Sequence, residues 1–530
     1  MNRMLEHIER KLPLAELVSL LLFLVFVPLI QKVNFMQNDD WNRTTSVIRF
    51  LHGDFSLIQK TATTFYTQGI LGCLFSLVFG WKKLPFLTLL FSVLNFYLLM
   101  KILLNHSNLS KIKSCILSLL LFFTPLHMYS SIGFMTENYT LFFILFSIYF
   151  FLSYEKRSKA KDFVLFNLGG LLAFFSKQNG IIIQVASIPY FLLKKKYKEA
   201  LMQSFFILSV FSCYYFLFPR TDEMKDKDFL FENILNVQYS YSLVYGILVV
   251  VSSFILPVLF NFVLSAYLSK KKDIKLILIL IASSVLCFIF LNKWFIPGKI
   301  SWEEYPYFEN TFERTGFFPR SISGTKYQFR WNYDLYKYWD AVSKILLSLT
   351  IPCLFLYKKK IINIYSISIV GYAILMIFVK TFFDRYLLPL IPLFILFFLY
   401  INPQLFFAAS LSSKVFKMFS FTTTLTSVLF VLFTAFLSMQ MSIDFVLTNN
   451  YVWERSENLV NSGTSPSSIK ATMAWEKLHG LSSKPKYLFS FDDYVKNPGL
   501  RNSYSLIEKK EIDYPANIFI DSAIYLYQGK

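Results

Sequence analysis

Charge is what this sequence has least of. Asp, Glu, Lys and Arg make up 16% of its 530 residues, against 55% hydrophobic residues. A soluble chain of this length needs far more polar surface, so that class is excluded. Cysteine is sparse as well. The five cysteines (Cys73, Cys115, Cys213, Cys287 and Cys353) are scattered through apolar runs with no metal or redox spacing, and read as small core residues. The first apolar run has no small-residue cleavage pattern, which makes it a retained span rather than a signal peptide. No internal repeat is clear enough to claim a transporter built from inverted halves.

What is abundant is apolar sequence. Runs of about 20 residues recur between Leu12 and Met439, each long enough to cross a bilayer core of about 30 Å. Spans are expected at 14–33, 84–104, 114–132, 139–153, 162–176, 180–193, 201–218, 241–267, 275–296, 341–357, 361–379, 386–401 and 419–439. The net charge of +20 raises nucleic acid as a partner. The basic residues, however, come in short clumps between apolar runs, such as "KKKYK", "KKKDIK" and "YKKKI". That is the signature of cytoplasmic loops, so the expected partner is the bilayer and not nucleic acid.

One short apolar segment, "FYTQGILGCLFSLVFG" (65–80), decides the sidedness of everything after it. If it does not cross, an N-terminus with Arg3, Arg10 and Lys11 lies inside together with "NLSKIK", "EKRSKAK", all three Lys clumps and the loop of Lys414 and Lys417. The less basic segments 219–240, 297–340 and 441–530 then lie outside. If it crosses, either the N-terminus or every later clump faces the wrong way. The segment is therefore expected to lie in the outer interface, or to dip in and return.

On this layout Asp39, Asp40, Asp54, Glu137, Lys177, Gln178, Asp384 and Arg385 all fall at span boundaries on the outer face. Single boundary charges are helix-end anchors; several of both signs from different loops resemble a site. Segment 297–340 is dense in aromatics and Arg, suited to sugar stacking and phosphate binding or equally to an interfacial aromatic belt. In 441–530, "KYLFSF" and "NIFIDSAIYLY" have strand composition, and Asp492–Asp493 between them reads as a solvated turn. The expected fold is an all-α polytopic membrane protein of about thirteen transmembrane helices over 1–440, with outer loops 34–83 and 297–340. A small extracytoplasmic α/β domain is expected over 441–530.

The order of motifs resembles one family. "DDW" (39–41) follows the first span, then "HGDF" (52–55), "FYTQGIL" (65–71) and "FG" (79–80); "FMTENYTLFF" carries Glu137, and "FFDRYLLPLIP" (382–392) comes late. This resembles the GT-C superfamily of membrane glycosyltransferases, such as the protein O-mannosyltransferases and the aminoarabinose transferase of lipid A. Two departures leave donor and acceptor open: "WKK" (81–83) stands where the family has Arg after "FG", and "TTFYTQG" replaces a Pro-Pro-Leu stretch.

The resemblance implies a GT-C fold and an enzyme that moves a sugar from a polyprenyl-phosphate carrier to an extracytoplasmic lipid, glycan or protein. The setting would be a bacterial cytoplasmic (inner) membrane, with the active site on the outer face. It implies Asp39, Asp40 and Glu137 as catalytic acids, Lys177 and Arg385 on the donor phosphate, and Trp41, Tyr66, Gln68 and Tyr386 as substrate-binding residues. A carboxylate would take the proton of an attacking hydroxyl, and cations would stabilise the leaving phosphate. Adjacent carboxylates cannot point the same way, so at most one of Asp39 and Asp40 reaches the reacting oxygen. No cofactor is assigned, and a divalent cation (Mg or Mn) on Asp39, Asp40 and Glu137 stays open. Two rival classes remain. A transporter or lipid flippase would carry charge near the bilayer midplane. A polysaccharide polymerase or ligase would lean on Arg and His in its outer loops.

Overall fold

The computed structural model describes residues 13–58, 61, 64–107, 109–218, 235, 237–269, 273–291, 322–324, 328–329, 335–379, 383–403, 414–495, 497–518 and 520–530. These residues are mostly helical, with one small sheet formed near the end of the chain. Helices are the natural outcome of such a sequence in lipid, because each satisfies its own backbone hydrogen bonds.

Six of the described helices are long and apolar enough to cross a membrane: Leu14–Gln31, Trp81–His106, Tyr197–Leu217, Ala341–Ile361, Asp384–Ile401 and Phe421–Asn461. Their exposed large side chains include many of Leu, Val, Ile and Phe, such as Leu20, Leu24, Phe205, Phe216 and Leu432. That is the surface hydrocarbon requires, and it identifies an integral membrane protein.

Of the other expected spans, 139–153 lies within the unbroken 21-residue helix Glu137–Arg157, and the rest are shorter or broken for local reasons. The run 114–132 is two helices, Lys111–Phe122 and Pro125–Ser130. Thr124 ends the first and caps the second, its Oγ1 accepting the His127 N–H, and Pro125 opens the new helix. The run 241–267 bends by 89° between Phe254 and Leu256, just before Pro257. Ala160–Phe174, Ile182–Leu193, Ile274–Ile289 and Ile364–Ile377 have 12 to 16 residues. At 1.5 Å per residue the longest reaches about 24 Å, less than a bilayer core. Tyr66–Phe79, the helix on which sidedness turned, has 14 residues. It buries Gln68, Gly69, Gly72 and Ser76 against the protein and exposes Ile70, Leu74, Leu77 and Val78.

The helix Glu137–Arg157 supplies a ruler. Its 21 residues run from an acid at one end to "EKR" at the other, a distance of about 30 Å. Around its basic end, Lys196 Nζ and Tyr190 Oη meet Glu155 at 2.6 and 2.8 Å, and Arg157 pairs with Asp162 at 3.2 Å. Two of the basic clumps, "EKRSKAK" and "KKKYK", thus meet at that end. The sheet unit sits at the other end. Its strands are Gln328–Phe329, Ile469–Lys470, Tyr487–Ser490, Tyr504–Ile512 and Ile520–Gly529. Gln328–Phe329 belongs to the expected loop 297–340 and pairs antiparallel with Ile520–Asp521, while the Ser323 C=O accepts the Phe491 N–H at 2.9 Å. Both outer segments therefore lie on the same side of any membrane. Most of 297–340, and most of 219–240, falls outside the described residues.

Two local expectations change. The helix Lys414–Asn461 runs unbroken through position 440, so 441–461 extend a membrane helix and the sheet unit begins after it. Asp492 is buried, and only Asp493 behaves as a turn residue, accepting the Val495 N–H at 3.0 Å. The sidedness is testable. In a cysteine-free background, thiols placed at the exposed positions Asp54 and Lys159 should label from opposite faces of the membrane. Labelling of both from one face would overturn the layout.

Candidate active site

The chain leaves the first span at Gln31 and reaches its acidic pair through a tight turn. Asn38 adopts a left-handed backbone (φ +44°), a conformation Asn tolerates better than most residues. The Asp40 N–H bonds the Gln37 carbonyl at 2.8 Å and the helix Asp40–Leu51 begins. The pair then diverges. The Asp40 side chain is 4% exposed and that of Asp39 is 35% exposed.

Asp40 points inward. Its Oδ2 accepts the Phe134 N–H at 2.7 Å and the Gln37 N–H at 3.3 Å, and its Oδ1 meets Arg43 Nη1 at 3.3 Å. Gly133 makes this possible, because a Cβ there would lie 2.2 Å from Asp40 Oδ2 and 2.5 Å from Gln37 Oε1. Burial pushes the Asp40 carboxyl up to about 7, against the opposing pull of Arg43 and the two backbone N–H groups.

Asp39 faces a shared cationic centre. Its Oδ2 lies 2.9 Å from Arg385 Nη2 and 3.7 Å from Arg43 Nη2. Arg385 comes from the 3₁₀ turn Asp384–Leu387, and its Nε pairs with Glu137 Oε1 at 3.0 Å. The same Glu137 oxygen takes Lys177 Nζ at 3.1 Å. Lys177 stands in an extended break between Ala160–Phe174 and Gln178–Ile181. Its ammonium sits 3.4 Å from the centre of the Tyr386 ring, a cation–π contact. The Tyr386 carbonyl accepts Tyr372 Oη at 2.5 Å, and Asn179 Nδ2 donates to that hydroxyl at 2.7 Å, which ties the 177–179 and 384–387 turns together. Three carboxylates (Asp39, Asp40, Glu137) and three cations (Arg43, Lys177, Arg385) therefore form one continuous cluster of ion pairs, an open chain that runs from Asp40 to Lys177.

The chain matches no protein-family model and no curated protein. The site is therefore read from its own geometry.

Five residues singled out in the sequence, Asp39, Asp40, Glu137, Lys177 and Arg385, converge in this cluster, and Tyr386 forms one wall. The others do not join them directly. Gln68 is fully buried and donates from Nε2 to the Phe134 carbonyl at 3.1 Å, bracing the turn that receives Asp40. Tyr66 lies in an aromatic cluster, with Phe218 at 4.5 Å and Phe50 at 6.3 Å between ring centres. Trp41 packs half-buried against the core. Asp54 is exposed and caps its own turn through the Ser56 N–H.

Among the described residues, no three of His, Cys, Asp and Glu come together in a set that could hold a metal ion. A guanidinium stands between the carboxylates instead: Arg43 between Asp39 and Asp40, and Arg385 between Asp39 and Glu137. The sequence reading passed over two residues, Arg43 and Gly133. Arg43 was visible in "DDWNR", three and four positions after the two acids on a helix face. Gly133 carried no such signal, since its role depends on a turn 92 residues or more away from its partners.

Proposed function

We propose that this chain is an integral-membrane glycosyltransferase that uses a polyprenyl-phosphate sugar donor, with Asp39 as the general base. The observation that carries the reading is the split within the acidic pair: Asp39 is partly open beside cations, while Asp40 is consumed by the fold. In the reaction, an acceptor hydroxyl attacks the sugar C1 and gives its proton to Asp39 as the C1–O bond to phosphate breaks. Positive charge developing at C1 is stabilised by the same carboxylate, and the departing phosphate by Arg385 and Lys177. Arg385 Nη1 is buried and has no hydrogen-bond partner among the described residues, which leaves one donor for such an oxygen. Glu137 holds both cations in place.

The depth of the cluster supports this reading over transport. A polyprenyl tail fixes its phosphate at the membrane boundary, and the cluster lies about one bilayer core away from the "EKRSKAK" and "KKKYK" clumps, at the end that carries the sheet unit. A flippase or transporter would concentrate charge nearer the midplane. The thirteen-span GT-C layout, with the shorter apolar helices completing the count, belongs to the same proposal, as does an inner-membrane location with an outward-facing site.

Lys177 gives a test separate from the base. Lys177→Ala should raise the KM for the lipid-linked donor by about 10- to 100-fold, the worth of one charge-assisted contact of about 1.5–3 kcal/mol. Steady-state kinetics in liposomes would read it, and adding chelator to the same assay reports divalent-cation dependence. An unchanged KM would make Lys177 a structural partner of Glu137 and nothing more.

A further inference from the structure

We propose that the long helix Lys414–Asn461, beyond its membrane part, is the positioning element for Asp39, acting through Asn450 and Phe445. The segment from Lys32 to Asp39 has no regular structure of its own, so something else must fix it. Asn450 does so at the start. Its side-chain amide imitates a peptide unit, with Nδ2 donating to the Lys32 carbonyl at 2.6 Å and Oδ1 accepting the Asn34 N–H at 3.2 Å. One turn further along, Glu454 Oε1 accepts Asn34 Nδ2 at 2.9 Å.

Phe445 acts lower down. It is buried, and its ring meets Phe35 edge-on at 5.8 Å and Tyr129 at 5.5 Å. The Tyr129 carbonyl accepts Gln37 Nε2 at 2.9 Å, and the Gln37 N–H and C=O both bond Asp40. Phe445 thus touches both strands of chain that grip Asp40, one before Asp39 and one before Gly133. A further contact reinforces the hold: the helix Met473–His479, carried on the same C-terminal unit, lies against Asp40–Leu51.

The mechanical hold stands on these contacts alone, and its catalytic meaning rests on the reading of Asp39 as base. The sheet unit is then part of the active-site frame, because a shift of the long helix moves the segment that carries Asp39. Misplacement of a reacting group by about 1 Å costs on the order of 10²-fold in rate.

The test is amide hydrogen exchange on the full chain in lipid nanodiscs, paired with transfer kinetics. Asn450→Ala should speed exchange across 33–40 about three- to tenfold, the loss of roughly one net hydrogen bond. Phe445→Ala should speed it more, and Asn450→Asp, which keeps the acceptor for Asn34, should speed it less. In both alanine variants kcat should fall with KM for donor unchanged. Unchanged exchange over 33–40 in both alanine variants overturns the hold. Faster exchange with parental kcat overturns the positioning role and leaves a purely structural clamp. A parent chain that transfers no sugar at all fails the glycosyltransferase reading, and the exchange data still decide the hold.

Discussion

Replacing Asp39 with Asn should lower kcat by about 10²–10⁴-fold while leaving the folded protein and its donor affinity nearly intact. The substitution is close to isosteric and removes the proton acceptor and the charge together. Little stability should be lost, because the Asp39 side chain is 35% exposed and its partner Arg385 keeps Glu137 at 3.0 Å. The measurement is transfer of labelled sugar from a polyprenyl-phosphate donor in liposomes, with variant and parent at matched protein levels. A parental rate in Asp39→Asn would remove the carboxylate from the chemistry and return it to the role of a solvated helix end.

Asp40→Ala should do the opposite, failing first in stability. The neighbouring acid is buried, accepts two backbone N–H groups and faces Arg43 at 3.3 Å. Truncation leaves those donors unmet and leaves Asp39, at 3.7 Å, as the remaining ion-pair partner of Arg43. Breaking a buried pair in this way costs about 3–5 kcal/mol. Gly133→Ala should resemble it from the other side, since its Cβ would occupy the space of Asp40 Oδ2. Thermal unfolding in detergent would show both variants melting well below the parent, whereas Asp39→Asn should melt close to it. An Asp40→Ala variant with parental unfolding and reduced kcat would exchange the roles assigned to the two acids.

The two neighbours illustrate what a sequence of this kind reveals. Boundary charges were visible because charge is rare enough here for each instance to stand out, and five of those residues meet in one cluster. The division of labour between Asp39 and Asp40 was not visible, because it depends on a turn at 133–134 that hydropathy does not mark. Hydropathy was also blind to breaks inside the apolar runs. It cannot see a break when both sides are apolar, as at Thr124–Pro125 and before Pro257, although the prolines themselves were readable. The domain boundary was placed at 440 because polarity rises there. The helix continues to Asn461, since a polar sequence can stay helical outside a membrane when it has something to pack against. Phe445 against Phe35 and Tyr129 is that packing.

Release of the carrier lipid separates sugar transfer by this chain from lipid transport. The purified protein in liposomes would be given polyprenyl-phosphate sugars together with candidate acceptors, and free polyprenyl phosphate would be measured alongside movement of the labelled donor between leaflets. A glycosyltransferase should release polyprenyl phosphate in a manner that depends on Asp39, with no protein-driven movement of donor across the bilayer. Donor movement without release, in parent and Asp39→Asn alike, would contradict sugar transfer and make the chain a lipid transporter.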